Sequence, residues 1–433
     1  MFRKALNDLR EWKNAPSRKP LIIRGARQVG KTWLMKEFGK TQFKQVAYIN
    51  FDANAPMKNL FAGDFDIKRL LTGLQIEAKC AIDPQNTLLI FDEIQETPQA
   101  IASLKYFYEQ APEYHIIAAG SLLGVALAGT SFPVGKVDFF DLYPLSFSEF
   151  LQALGQDDLL QLQNNVDWPL LATFKDKFIT LLKQYYFVGG MPEAVFAFTQ
   201  QNDFSKVRDI QKNILLAYEQ DFSKHVPANT VTKLRMIWNA IPAQLSKEHR
   251  KFIYGLLRQG ARAREFELAL TWLCDYGLAT KVHRITKPAI PIKAYEDLSS
   301  FKLFMLDVGL LGALSDLDAQ VLLEGHQLFE EFKGALSEQF VFGELRNLKN
   351  TPLAYWSAEK STAEIDFVIQ KEGQVIPIEV KATDNLQAKS LKSYKQNYQP
   401  KTSIRTSLAD YRDEGWLKNI PLYCLGIDFK KLI

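Results

Sequence analysis

With 433 residues the chain is too long for one ordinary core and is expected to form roughly two to four domains. Its 47% apolar and 24% charged content is a normal globular mixture, and the lack of any apolar run of about 18 residues argues against a transmembrane span and a membrane partner. The net charge of +4 is compatible with nucleic acid without requiring it, while three widely spaced cysteines (Cys80, Cys274, Cys424) and an N-terminus without a signal-peptide apolar core predict a reducing, cytoplasmic setting rather than a disulfide framework or zinc knuckle.

Residues 1–15 read as a short amphipathic helix, followed by Pro16 and a strand at 20–24. The strand runs into Gly25, Ala26, Arg27, Gln28, Val29, Gly30, Lys31 and Thr32, which is the spacing G-x-x-x-x-G-K-[ST] between a strand and a helix. Such a turn wraps the α- and β-phosphates of a nucleotide in backbone N–H groups, and the following helix adds its dipole. Glycines permit the turn and the close backbone approach. Lys31 is placed to reach the β/γ-phosphates and Thr32 to ligate Mg²⁺. Arg24 and Arg27 flank the turn and can meet either phosphate or acids. Neither is separated from it as a finger acting in trans would be, so no arginine finger is assigned.

A helix over 31–38, a strand over 46–51 and a helical stretch over 57–80 follow. Thr87 to Glu93 is an apolar strand that delivers two adjacent acids, the Walker B arrangement: Asp92 for Mg²⁺, and Glu93 as general base on the attacking water. A helix over 97–110 and a strand from His115 to Ala119 lead to Ser121, which is either a sensor of the γ-phosphate or a plain helix cap. Val137 to Leu142 completes a set of strands alternating with helices, hence a mostly parallel sheet with nucleotide at the C-terminal ends of its strands.

Residues 146–188 and 203–221 have helical periods, interrupted by a polar stretch at 155–168 expected as a loop and by the breaker cluster Gly189 to Glu193. Together they suggest a helical lid. Helix-like segments at 230–240, 247–256 and 262–275, then Gly277 and a strand from Leu278 to Ile285, resemble a winged helix. Arg262 and Arg264 open its recognition helix, where they either contact a DNA backbone or lie on the solvated face of a packing module. Residues 288–335 read as a link.

In the last part, strand 364–369, the turn Lys371 to Gly373 and strand 375–381 form a hairpin. Alternation puts Glu379 and Lys381 on one face, where Asp366 of the other arm can meet them. A strand pair presenting D…E-x-K is the core of a metal-dependent nuclease site, with carboxylates for Mg²⁺ or Mn²⁺ and a lysine for water and phosphate charge. Glu338 from the preceding helix can complete it. The plain alternative is a hairpin with paired surface charges. A basic helix over 386–398 offers Lys389 and Lys392 to a phosphate backbone, and Leu422 to Ile427 reads as a final strand.

With these motifs in view, the chain resembles a large prokaryotic family of AAA-like ATPases (AAA_14-type core) with a DUF4143 C-terminal region. The resemblance rests on Arg24 to Thr32, Phe91 to Gln95, Tyr143 to Phe147, Gly189 to Glu193, Leu306 to Leu310, Ala363 to Phe367 and Ile378 to Lys381. It implies an α/β P-loop NTPase core over 1–150, a helical lid over 151–228, a winged-helix region over 229–287 and an α/β PD-(D/E)xK nuclease-like domain over 288–433. Members often carry an arginine after Leu-Ala-Gly. Here Leu127, Ala128 and Gly129 are followed by Thr130, so that role does not transfer. The function expected is a Mg-dependent ATPase coupled to DNA binding or processing. The alternative is a nucleotide-gated DNA- or protein-binding switch with a catalytically inactive nuclease-like domain.

Overall fold

Fully buried runs such as Thr87–Asp92 mark strands covered on both faces, and these build a parallel sheet. Strands β1 (Leu21–Arg24), β2 (Gln45–Asn50), β3 (Thr87–Asp92), β4 (His115–Ala119) and β5 (Asp138–Asp141) pair in the order β2-β3-β4-β1-β5, every pair parallel. Helix α1 (Ala5–Asn14) precedes them, and α2 (Lys31–Gln42), α3 (Ala55–Ala62), α4 (Ile67–Ala78) and α5 (Pro98–Gln110) lie between them in the chain. The computed structural model describes residues 2–120, 132–247, 250–324, 330–359 and 362–432. No helix among them is long and apolar enough to cross a membrane.

The chain divides into two compact units, Met1–Tyr143 with Asp275–Gly277, and Pro144–Cys274 with Leu278–Ile433. The core of the first unit takes up some of the chain's 30 phenylalanines. Phe51, Phe61, Phe91 and Phe107 are buried and meet edge-on at centroid distances of 5.5 to 6.4 Å. The single helix expected over 57–80 is two helices. The chain breaks at Gly63, and Asp66 caps a new helix by accepting from the Arg69 N–H at 2.7 Å.

The second unit opens with helices α6 (Phe147–Ala153), α7 (Asp157–Asn165), α8 (Trp168–Thr173), α9 (Lys175–Val188), α10 (Pro192–Gln201), α11 (Phe204–His225), α12 (Ala228–Leu245) and α13 (Ala263–Asp275). The polar stretch expected as a loop is α7. Leu159 and Leu162 share its buried face, and the buried Gln163 side chain donates to the Tyr423 carbonyl at 2.6 Å. The helix expected over 247–256 is absent from its described residues, which form only a 3₁₀ turn at Tyr254–Leu256. There the Gln244 amide takes both backbone groups of Ile253, each at 2.9 Å, and the Phe252 N–H donates to the Phe301 carbonyl at 2.8 Å. Side-chain and cross-chain bonds thus replace the helical ladder.

Then come β6 (Ala279–Ile285), β7 (Glu296–Met305), α14 (Val308–Leu314), α15 (Ala319–Glu324), α16 (Glu330–Leu345), β8 (Leu353–Ser357), β9 (Glu364–Lys371), β10 (Gln374–Val380), α17 (Lys389–Tyr398), β11 (Ser403–Ser407), β12 (Arg412–Asp413) and β13 (Leu417–Pro421). The last strand ends at Pro421, and Leu422–Cys424 is a 3₁₀ turn rather than a strand. The supposed link at 288–335 holds the long strand β7, helices α14 and α15, and the start of α16. The eight strands form one sheet, β12-β13-β11-β10-β9-β8-β6-β7. The strand expected at 278–285 in the winged-helix region instead pairs with β7 of the supposed link and is continuous with the C-terminal strands, through pairing of Arg284 and Ile285 with Tyr355 and Trp356.

Three motifs of the sequence meet inside this unit. Gly190 accepts from the Leu145 N–H at 2.7 Å and donates its own N–H to Asp307 Oδ2 at 2.6 Å, while Asp307 Oδ1 caps α14 at Leu310. Gly189 has φ 71 and ψ −164, a conformation open almost solely to glycine, and a Cβ there would lie 2.1 Å from Asp307 Oδ1. Gly189→Ala is expected to lower unfolding stability by about 3 kcal/mol, adding backbone strain to a buried clash. Gly155 also has positive φ but meets nothing within 4 Å. Gly155→Ala should cost only about 1 kcal/mol, so urea unfolding of the two variants separates the clash from the strain.

Candidate functional site

Strand β1 delivers the chain to Gly25, which has φ 147 and lies against β5's exit: an added Cβ would sit 2.4 Å from the Leu142 carbonyl oxygen. Gln28 and Gly30 also have positive φ, 65° and 93°, and Gly30 starts α2. Left-handed residues interspersed in a tight turn aim successive N–H groups at one point, an anion cradle ending on a helix N-terminus. Lys31, 7% exposed, folds over this turn and donates at 2.8 Å to both the Gly25 and the Ala26 carbonyl. Burial lowers its pKa to about 8, against the pull of Glu93 and Asp92.

β3 brings Asp92 to the same end of the sheet. Its Oδ2 accepts from the Thr32 hydroxyl at 2.7 Å and the Tyr48 hydroxyl at 2.9 Å, and its Oδ1 from the Glu93 N–H at 3.1 Å. Burial, reinforced by Asp92, pushes the Tyr48 hydroxyl pKa up, so it remains a donor. Glu93 has φ 52, and its Oε2 accepts from the Gln95 amide at 2.6 Å. Tyr48 and Gln95 were not singled out from sequence. Gln95 was findable two residues beyond the acids. Tyr48 needed the β2–β3 register, in which Tyr48 faces Ile90 and Asn50 faces Asp92.

β4 lies between β1 and β3. Ser121, two residues beyond its end, lies outside the described residues, as do Leu127 to Thr130. Arg24 is engaged elsewhere. It pairs with Asp141 through two bonds of 2.8 and 2.9 Å and stacks 4.6 Å above Phe139, so it meets an acid. The cradle at Gly25 to Gly30, the buried ammonium of Lys31 and the hydroxyl–carboxylate pair of Thr32 and Asp92 fit a nucleotide triphosphate with Mg²⁺.

The second unit gathers a different cluster. The β9–β10 hairpin turns through Glu372 and Gly373, both at positive φ, with Lys371 opposite Gln374. Lys381 Nζ lies 2.9 Å from Glu379 Oε1, so both side chains share a face as alternation requires. Asp366 Oδ2 accepts from the Val380 N–H at 2.7 Å. Glu379 is buried, and desolvation raises its pKa, with Lys381 opposing. Glu338, from α16, is paired with Arg250. Sequence reasoning missed Lys302 of β7, Glu364 and Arg250. The fully buried Lys302 Nζ lies 2.5 Å from Glu364 Oε1, 3.6 Å from Glu338 Oε2 and 3.8 Å from Asp366 Oδ1. Its signal was a lone charge inside Phe301 to Leu306, an otherwise apolar run. With ammonium and guanidinium groups on these carboxylates, the cluster does not fit a second divalent metal, and no group of three or more His, Cys, Asp or Glu side chains that could hold a metal is found among the described residues. Arg262, Arg264, Lys389 and Lys392 are exposed, the arginines at the start of α13 and the lysines on α17.

Residues 17–151 match the family described as an AAA domain, 179–321 a domain of unknown function (DUF8612), and 333–425 a domain of unknown function (DUF4143). No curated protein matches the chain. Among solved structures, the Walker-type ATPase PABY2304 of Pyrococcus abyssi is 14% identical over 72% of this chain and 95% of its own, with a TM-score of 0.45. The Aeropyrum pernix ORC1 protein, solved in complex with DNA, is 10% identical over 72% and 91%, with a TM-score of 0.25. Drosophila ORC bound to DNA is 14% identical over 72% and 95%, with a TM-score of 0.28.

The lowered Lys31 pKa sets a pH dependence. Phosphate contact favours the charged ammonium, so the nucleotide-bound pKa lies above the free value of about 8. ATP affinity is therefore expected to be flat below pH 8 and to fall by up to about tenfold per pH unit above it. Fluorescent-nucleotide titrations from pH 6.5 to about 9.5 check this, and Lys31→Met should bind weakly with no such fall. Glu93→Gln should keep nucleotide binding and lower hydrolysis by about 10²–10⁴-fold.

Proposed function

We propose, for this AAA-like ATPase with a C-terminal DUF4143 region, that Mg-ATP hydrolysis at the P-loop switches a DNA-binding second unit. The observation that carries the hydrolytic half is the convergence of Thr32, Tyr48 and the Glu93 N–H on Asp92, with Glu93 itself held by Gln95. On ATP binding, Lys31 exchanges the Gly25 and Ala26 carbonyls for β/γ-phosphate oxygens. Thr32 and Asp92 would hold a Mg²⁺ ion, which would supply neutralisation of charge developing on the phosphate oxygens, while Tyr48 keeps the Asp92 carboxylate in place and Glu93 orients and deprotonates the attacking water.

Transmission to the rest of the chain has a specific support. Asp275–Gly277, the end of α13 and the two residues after it, belongs to the ATPase unit, and a Cβ at Gly277 would lie 3.3 Å from the Ala26 nitrogen of the phosphate loop. In this reading a shift of the loop around phosphate moves this segment, to which the chain of β6 and α13 is joined. The latter helix opens with Arg262 and Arg264, the former winged-helix candidates for DNA contact. Within the second unit, the lid, winged-helix-like and nuclease-like stretches at 151–228, 229–287 and 288–433 are proposed as subdivisions. Ser121 is proposed as the γ-phosphate sensor. The reading chosen is binding without cutting, because Lys302 and Arg250 occupy the carboxylates a nuclease would give to metal.

DNA-stimulated ATP hydrolysis tests the partner. Duplex DNA at low salt should raise turnover severalfold, with the effect fading between about 50 and 200 mM salt as phosphate contacts are screened. Arg262→Ala with Arg264→Ala, or Lys389→Ala with Lys392→Ala, should weaken the stimulation and leave basal hydrolysis intact. Basal turnover that does not respond to DNA at any salt would replace DNA with a protein partner.

A further inference from the structure

The cluster of Glu338, Glu364, Asp366 and Glu379 has four carboxylates, the ligand type a divalent ion takes, yet they are not gathered into a metal-holding group among the described residues. Here ion pairs from within the chain meet most of the charge, while Glu379 Oε2 stays buried without a hydrogen-bond partner. Lys302 enters from β7 with its whole side chain buried, and its ammonium lies within 4 Å of carboxylates on three separate places: α16, the first residue of β9 and the third. The Tyr355 ring, 5.0 Å from the same nitrogen, covers another side of it. Arg250 takes the remaining oxygen of Glu338, and its Nε also donates to the Leu245 carbonyl at 2.9 Å. Asp366 has no oxygen left for a metal without giving one up, because Oδ2 accepts from Val380 and Oδ1 faces Lys302. Lys381 compensates Glu379 at the open end of the hairpin.

Three cations on four carboxylates leave a residual charge of about one, too little to offset the dehydration of a divalent ion. A lysine in such a place is also held strictly: a buried ammonium survives only where its charge is matched. We infer that Lys302 is a built-in cation standing in the place of a divalent metal, so that the cluster bridging β7, α16 and the β9–β10 hairpin is a metal-independent internal salt-bridge site. This rests on the non-cutting reading above but does not depend on DNA being the partner.

The test is Mn²⁺ binding to the nucleotide-free full chain, followed by electron paramagnetic resonance of free Mn²⁺ and by thermal unfolding with and without the ion. Uptake at Asp92 is common to all variants, so differences report the cluster. With Lys302 in place, Asp366→Asn and Glu379→Gln should leave Mn²⁺ uptake unchanged from that of the parent. Lys302→Met should gain a site at least tenfold tighter than any cluster uptake in the parent and show Mn²⁺-dependent protection, both abolished by adding Asp366→Asn. Lys302→Arg should gain none. Mn²⁺ uptake by the parent that is lost in Asp366→Asn overturns the inference, as does a folded Lys302→Met protein that gains no site. If Lys302→Met does not fold even with Mn²⁺, the parent and its Asp366→Asn and Glu379→Gln variants decide alone. A failure of DNA to stimulate ATP hydrolysis would leave all these outcomes as they are, so the two proposals fail separately.

Discussion

A carboxylate taken out of water must be met by donors or cations, and the placement of those partners organises both units. Asp92 is the central case. It is 4% exposed, yet three donors from β2, α2 and its own neighbour converge on its two oxygens. An unmet carboxylate there would cost several kcal/mol, more than most single contacts supply. Satisfying it requires that β2 and β3 pair in the register that puts Tyr48 beside it, and that α2 begin at Lys31. The constraint on one oxygen atom therefore fixes the relation between the phosphate loop and the acids.

The same logic runs through the second unit. Asp307 is buried, and burial raises its pKa even though the Gly190 and Leu310 N–H groups favour the charged form. It ties the breaker cluster at Gly189 and Gly190 to the cap of α14. Leu145, just after the chain leaves the ATPase unit, gives its N–H to Gly190 and accepts from the Tyr185 hydroxyl at 2.5 Å. Phe147 donates to Glu344 at 2.9 Å, and the Ser146 and Glu149 side chains cap α6 reciprocally. Short motifs far apart in sequence are thus parts of one hydrogen-bonded junction. Their glycines are needed because backbone, not side chain, fills the space: a Cβ on Gly190 would lie 2.1 Å from the Leu145 carbonyl oxygen.

How much of this was legible follows from how local each signal was. The phosphate loop and the Asp92–Glu93 pair are read from contiguous residues, and the parallel sheet follows from buried apolar runs alternating with helical periods. The hairpin at 364–380 was legible for the same reason, since turn chemistry and alternation are both local. Signals that needed tertiary partners were lost. Gln163 made its stretch look like a loop, although its amide is buried against Tyr423. Ile253 sits in a helix-like pattern, yet Gln244 consumes its backbone groups. The strand at 278–285 read as part of a separate winged-helix region because nothing in its sequence reveals the two-residue pairing of β6 with β8.

Lys302 shows why a motif can be right in geometry and misleading in chemistry. D…E-x-K correctly places Asp366, Glu379 and Lys381 around one hairpin, since their mutual arrangement depends only on strand alternation and register. Whether carboxylates so placed hold a metal depends on what else enters their field, and at 3–4 Å in a poorly solvated site a single ammonium changes that field by several kcal/mol. The deciding residue comes from a strand more than sixty residues earlier and from the far edge of the same sheet. No reading of the hairpin alone can include it. A strand that carries a fully buried lysine among Phe301, Leu303 and Phe304 pays for that burial only if acids are waiting, so the oddity in β7 and the acidity of the hairpin explain each other.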